Sequence, residues 1–188
     1  MSLEYREQRR LVILDKALIG FLILLAGFLF NRSIERFKSD LSNQRDDRQS
    51  AIAYHERRLR EFLYPLYYLV RQDDLVFKLM YKNGSHPPIK TAFGQVVETQ
   101  TILPNHEKIS QLISEKSFLL GSAPKLQATI DQYVYHFAVL KALRASESSS
   151  DPYSYDQRAG YPLSFSADVL VEINVSEKRL MDLSVIHP

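Results

Sequence analysis

Cysteine and tryptophan are absent from this chain, and glycine is scarce, with 6 residues in 188. Without cysteine there is no disulfide, no thiolate nucleophile and no cysteine-bound zinc, although the compartment stays open. Beyond the N-terminal apolar run the glycines are Gly84, Gly94, Gly121 and Gly160. They stand too far apart to form a phosphate-cradling loop or a nucleophile elbow. An excess of one charge is missing as well: 24 Lys and Arg against 22 Asp and Glu give a net charge of +2, with no long basic block. The electrostatic footprint of a dedicated nucleic-acid binder is therefore lacking. The histidines, His55, His86, His106, His136 and His187, form neither an HExxH motif nor an i,i+4 pair, and the acids are scattered. No catalytic residue, metal or cofactor is expected, and the chain reads as a non-enzyme.

What is present in quantity is apolar sequence near the N-terminus. Residues 11–30 read LVILDKALIGFLILLAGFLF, interrupted only by Asp15 and Lys16. Twenty residues of α-helix rise about 30 Å, the thickness of a bilayer's hydrocarbon core. The run ends Gly27, Phe28, Leu29, Phe30, Asn31, Arg32, without the small-residue pattern of a cleavage site, so it is expected to remain as an anchor. Asp15 and Lys16 then form a polar pair about one turn inside the interface, where lysine can snorkel. Ala17, Gly20 and Gly27 place small residues on one helical face with Leu24, the arrangement that lets two membrane helices approach closely. We expect self-association or pairing with another membrane protein through that face. Arg6, Arg9 and Arg10 precede the span, and Arg32, Arg36, Lys38 and Arg45 follow it. That balance decides sidedness weakly, and a cytoplasmic second part is our reading. N-x-S triplets begin at Asn31, Asn83 and Asn174 and would matter only in a eukaryotic secretory setting.

Past the span, Ile34, Phe37 and Leu41 keep helical spacing, and residues 42–50 contain neither proline nor glycine, which predicts a helical stalk. Near-heptad spacing follows in Ile52, Leu59 and Leu66 and in Phe62, Leu69 and Val76. Pro65 is expected to kink or break that helix. The tyrosines Tyr64, Tyr67, Tyr68 and Tyr81 are expected to pack their rings in the core with hydroxyls outward. The alternative is an aromatic contact surface on Tyr64, Tyr67 and Tyr68. NGSHPP at residues 83–88 reads as a turn. A short helix is expected from Ile89, Phe93, Val96 and Val97, although residues 95–102, QVVETQTI, also have strand character. Pro104 and Asn105 mark a second start, followed by Ile109, Leu112 and Ile113 and stopping near Gly121. From Pro124 the stripe Leu126, Ile130, Tyr133, Phe137 and Leu140 predicts a helix. Residues 146–162 read as a polar loop. The last element, 166–183, fits both a strand (Val169, Val171, Ile173, Val175) and a helix capped by Ser164 or Ser166. A lone strand would lack a partner, so helix is preferred. The resulting fold class is all-α: tail 1–10, transmembrane helix 11–30, helical stalk 31–50 and a four- or five-helix soluble bundle 51–188.

Two resemblances bear on function. Arg48 and His55, separated by QSAIAY on a helix, resemble the Arg–His signature of HEPN ribonucleases. In those helical proteins an Arg and a His from two protomers face a shared cleft, and the likeness implies metal-independent RNA cleavage. More broadly, an N-terminal anchor, a charged stalk, Tyr64-Pro65-Leu66-Tyr67, Asn105-His106-Glu107-Lys108 and Gly160-Tyr161-Pro162 are similar to bacterial membrane-anchored helical proteins. Some proteins of that build are antiphage-defence effectors. The first expectation is a non-enzymatic membrane-tethered interaction module, with a signal-responsive membrane effector as the alternative.

Overall fold

The computed structural model describes residues 3–80, 92–146, 148, 150 and 152–185, with the side chains of residues 3–15, 17, 23, 77, 79, 80 and 153 outside that description. Tyr81, the turn at 83–88, His86, Ile89 and His187 therefore lie outside the described residues. Every regular element among the described residues is helical. These are α1 (Leu3–Arg58), a π-turn (Leu59–Leu63), α2 (Tyr64–Met80), α3 (Ala92–Val97), a second π-turn (Glu98–Ile102), α4 (Leu103–Lys116), α5 (Pro124–Ala145), α6 (Pro152–Tyr155) and α7 (Phe165–Ser184). Short 3-10 turns occupy Ser117–Leu119 and Gln157–Ala159. The chain divides into two units, Met1–Ser50 and Ala51–Pro188.

The first unit holds the part of α1 that precedes Ala51. Leu18, Phe21, Leu24, Phe28 and Phe30 are all exposed, so apolar side chains surround the helix rather than forming one stripe. A helix apolar on every side suits an apolar surrounding. By length and composition it is the one helix among the described residues able to cross a membrane, and none of its apolar stretch is buried.

In the second unit, proline explains both π-turns. Pro65 has no N–H to give the Glu61 carbonyl, and in a regular α-helix its ring would collide with that carbonyl. The Tyr64 N–H instead donates to the Leu59 carbonyl, closing a wider turn that holds one extra residue. Pro104 repeats the arrangement, with the Leu103 N–H donating to the Glu98 carbonyl. Each proline is the second residue after a π-turn. Of the kink or break expected at Pro65, a break does not occur, because the chain stays helical through the π-turn. The separate start expected at Pro104 is corrected too: Ile102 before it is already helical, and the chain stays helical from Ala92 to Lys116.

After α4 the chain reverses at Gly121, whose φ of +65° favours glycine. A Cβ there would meet the Tyr54 hydroxyl at 2.6 Å. Gly121→Ala is expected to lower stability by about 1–2 kcal/mol, combining backbone strain with loss of the Tyr54 contact. A thermal melt of the full chain in detergent checks this; an unchanged midpoint would mean the turn relaxes freely.

The stripe of α5 is buried throughout. Residues 146–162 are less of a loop than expected, since α6 and the second 3-10 turn lie within them. On α7 the buried phase is Phe165, Val169 and Ile173, while Leu170 is exposed. Ser164 occupies the N-cap position, but its hydroxyl donates to the Asp168 carboxylate at 2.8 Å and caps no backbone N–H. Tyr64 donates to Glu177 at 2.7 Å and Ser166 to Asp74 at 2.5 Å, so α2 and α7 run antiparallel. Phe62, Leu63, Leu66, Val70, Ile109, Leu126, Tyr133 and Phe165 fill the centre of the core. Leu59, Phe62 and Leu66, members of the near-heptad, are spent on this core.

Candidate functional site

Among the residues singled out on the apolar helix, Lys16 is exposed, and the side chains of Asp15 and Ala17 lie outside the described residues. A Cβ added to Gly20 or Gly27 would meet nothing within 4 Å, so both positions face open space. The tyrosines do not behave alike. Tyr67 packs against the core, whereas Tyr64 is half-exposed and Tyr68 is 71% exposed. The expectation that all these rings enter the core is corrected: α2 turns only one side inward, and Tyr68 lies on the other.

Arg48 and His55 both lie on α1. The His55 Nδ1 is buried without a hydrogen-bond partner, and the Tyr54 ring meets its ring edge-on at 5.2 Å. Burial, aided by the charges of Arg58 and Arg179, lowers its pKa below the usual imidazole value.

Two polar centres that sequence reasoning missed hold the second unit together. The first is Arg58, only 4% exposed. Its Nε donates to the Leu119 carbonyl at 3.0 Å, Nη1 to Ser176 Oγ at 2.7 Å, and Nη2 to both the Leu120 carbonyl and Glu172 Oε2 at 2.8 Å. One guanidinium therefore ties the end of α1 to the α4–α5 connection and to α7. Only the planar five-donor fork of arginine reaches acceptors on so many sides. In the sequence nothing marks Arg58 out from Arg57 and Arg60 beside it.

The second centre is a buried cluster between α2, α4 and α5. Asn105 Nδ2 donates to the Leu69 carbonyl at 2.8 Å and to Asp73 Oδ1 at 2.5 Å. His106 Nδ1 lies 2.6 Å from the Tyr133 hydroxyl and 3.8 Å from Asp73 Oδ2. The His106 ring stacks with Tyr133 and Phe137 at 5.4 Å and lies 5.6 Å from His136. Asp73 Oδ2, Asn105 Oδ1 and the Tyr161 hydroxyl are buried without partners. Burial raises Asp73 to about 7, with Asp74 adding to the rise and Asn105 opposing it. Burial also lowers His106 to about 3, assisted by His136. Burial raises Tyr133 and Tyr161 above the ordinary phenol value, so both hydroxyls keep their protons. The only sequence signal was the acid pair Asp73–Asp74 inside an apolar helix.

Other anchors are local. Asp168, buried, accepts from Thr129 and Ser164 and pairs with Lys125, each at 2.8 Å. Arg144 pairs with Glu98 at 2.6 Å and donates to the Ser148 and Ser150 carbonyls, fixing the segment after α5. An open groove beside α5 is lined by Ala138, Val139, Ala142, Leu143, Ser146 and Tyr155. The Ser146 hydroxyl there is already bonded to the Leu143 carbonyl. Among the described residues, no three His, Asp or Glu side chains gather as a metal site. Comparison with family models, with curated proteins and with solved structures found no match, so function is read from this chain's own residues.

Proposed function

We propose that the chain is a membrane-tethered, non-enzymatic helical interaction module. In this reading residues 11–30 span the bilayer, 31–50 form a stalk, and 51–188 form a soluble bundle on the cytoplasmic side. The observation that carries it is the apolar helix whose large side chains are exposed on every side. Among the described residues of its own unit nothing covers that surface, and lipid is the surrounding that suits it. The open positions Gly20 and Gly27 support association with a second membrane helix, a second copy of the chain included.

Purified full-length protein in mild detergent is expected to run as an oligomer, and Gly20→Leu with Gly27→Leu to weaken that association by about tenfold or more, roughly 1.4 kcal/mol. A strictly monomeric wild type that also captures no membrane protein of its host would overturn the reading. Because the native chain has no cysteine, single cysteines placed at Ser2 and Ser150 report sidedness through labelling of intact cells.

A second reading is a signal-responsive membrane effector of the kind found in antiphage defence. It is favoured by α1, which runs without interruption from Leu3 to Arg58. Unchanged toxicity on expression after neutralising Asp15 and Lys16 and enlarging Gly20 and Gly27 would discard it. The ribonuclease reading on Arg48 and His55 is discarded if RNA stays intact with the purified chain.

A further inference from the structure

Two buried titratable groups of opposite kind face each other where α2 meets α4. Asp73 and His106 are 6% and 3% exposed. The imidazole Nδ1 lies 3.8 Å from Asp73 Oδ2, beyond hydrogen-bonding range. A charged pair in so dry a site would close to about 2.7–2.9 Å. Instead the imidazole Nδ1 is engaged by the Tyr133 hydroxyl at 2.6 Å, and Asp73 Oδ2 has no partner.

Among the described residues, groups from α2, α4, α5 and the segment before α7 surround the pair. From α2 comes Asp74, which accepts from Ser166 of α7. From α4 comes Asn105, from α5 Tyr133 and His136, the latter with Nδ1 against the Ala159 carbonyl, and from the segment before α7 Tyr161. Among the described residues no lysine or arginine pairs with Asp73.

We propose that Asp73 and His106 are a pH-compensated pair: on folding the imidazole gives up its proton and the carboxyl takes one up, leaving both uncharged inside the second unit. The consequence is a stability that this pair leaves level across mildly acidic pH. The carboxyl alone would contribute stability that is complete below its ordinary value of 3.8 and lost as pH rises to about 7. The imidazole alone would contribute stability that is complete above 6.5 and lost as pH falls to about 3. Between those ordinary values the two slopes oppose each other, about one proton against one proton.

The test is equilibrium unfolding of the full chain in detergent micelles, followed by tyrosine near-UV circular dichroism between about pH 4.5 and 6.5. Differences from wild type are read, which removes the slope that His55 gives every version. Asp73→Asn copies the protonated acid and leaves His106 uncompensated. Its folded-to-unfolded ratio relative to wild type is expected to fall about tenfold per pH unit on acidification. His106→Gln leaves Asp73 uncompensated, and its ratio is expected to fall about tenfold per pH unit as pH rises. The double variant should run parallel to wild type. Infrared spectra of folded wild type at about pH 6 should contain a protonated-carboxyl band that Asp73→Asn removes. Single variants that run parallel to wild type, or a folded protein without that band, would overturn the proposal. If His106→Gln does not fold, the Asp73→Asn slope and the infrared band decide it alone.

Discussion

Arg58→Ala is expected to destabilise the second unit by about 3–5 kcal/mol. The mechanism is the uncompensated remainder. Truncation removes four donated hydrogen bonds, takes their guanidinium donors from the Leu120 carbonyl and the Glu172 carboxylate, and leaves the Leu119 carbonyl with only the Tyr54 hydroxyl at 3.5 Å. Breaking a buried ion pair from one side costs more than the pair contributes, because the surviving charge stays behind. Glu172 is only 16% exposed at its side chain, so water replaces the guanidinium poorly. Arg58→Lys should recover part of the loss, since one ammonium reaches some of these acceptors but cannot span them all. A further change, Glu172→Gln in the Arg58→Ala background, should restore stability by removing the orphaned charge. For a chain of this size each kcal/mol moves the melting midpoint by about 2–4 °C, so the Arg58→Ala loss is plain in a thermal scan. A shift equivalent to under about 0.5 kcal/mol would show that Arg58 is dispensable.

Phe62→Ala is expected to cost a comparable amount, about 3–5 kcal/mol. Its ring has no exposed surface and lies in the first π-turn, where the helix is already committed to an unusual path and repacks less easily. The loss combines the transfer of the ring to water with the cavity left among Leu63, Leu66 and their neighbours. Phe62→Leu keeps most of the volume and should cost under about 2 kcal/mol. Tyr68→Ala and Phe93→Ala, both on the surface, provide the contrast and should stay within about 0.5 kcal/mol. Equal effects at Phe62 and Tyr68 would show that the core assignment is wrong.

Helical type was legible wherever an apolar stripe kept one period. The Leu126-to-Leu140 stripe of α5 is the clearest case, because every member lies on one buried face. The last element was ambiguous for a physical reason: valine and isoleucine on alternate positions also satisfy a helix when only some of them are buried, and Val169 and Ile173 are buried while Val171 and Val175 are not. The π-turns were not legible, since proline announces a missing donor but not how the helix accommodates it. Polar centres were the least visible. Arg58, Asp73 and His106 acquire their meaning from groups far along the chain, Glu172 for the first and Tyr133 for the last. No local spacing encodes such a partnership. His106 in particular looks like any isolated histidine until its ring is seen stacked between aromatic neighbours.

The paired π-turns have one more consequence. A π-turn is a single-residue insertion accommodated inside a helix, so each proline acts as a frameshift of the helical phase, rotating everything downstream by about 100° relative to an uninterrupted helix. Residues before Leu59 and after Tyr64 are thus written in different reading frames of the same helix, and so are those on either side of Glu98 to Ile102. A chain built this way should tolerate losing one residue within a π-turn when its proline is replaced in the same step. The deletion alone sets the proline ring against the carbonyl four residues back, and replacing the proline alone leaves the surplus residue in the helix.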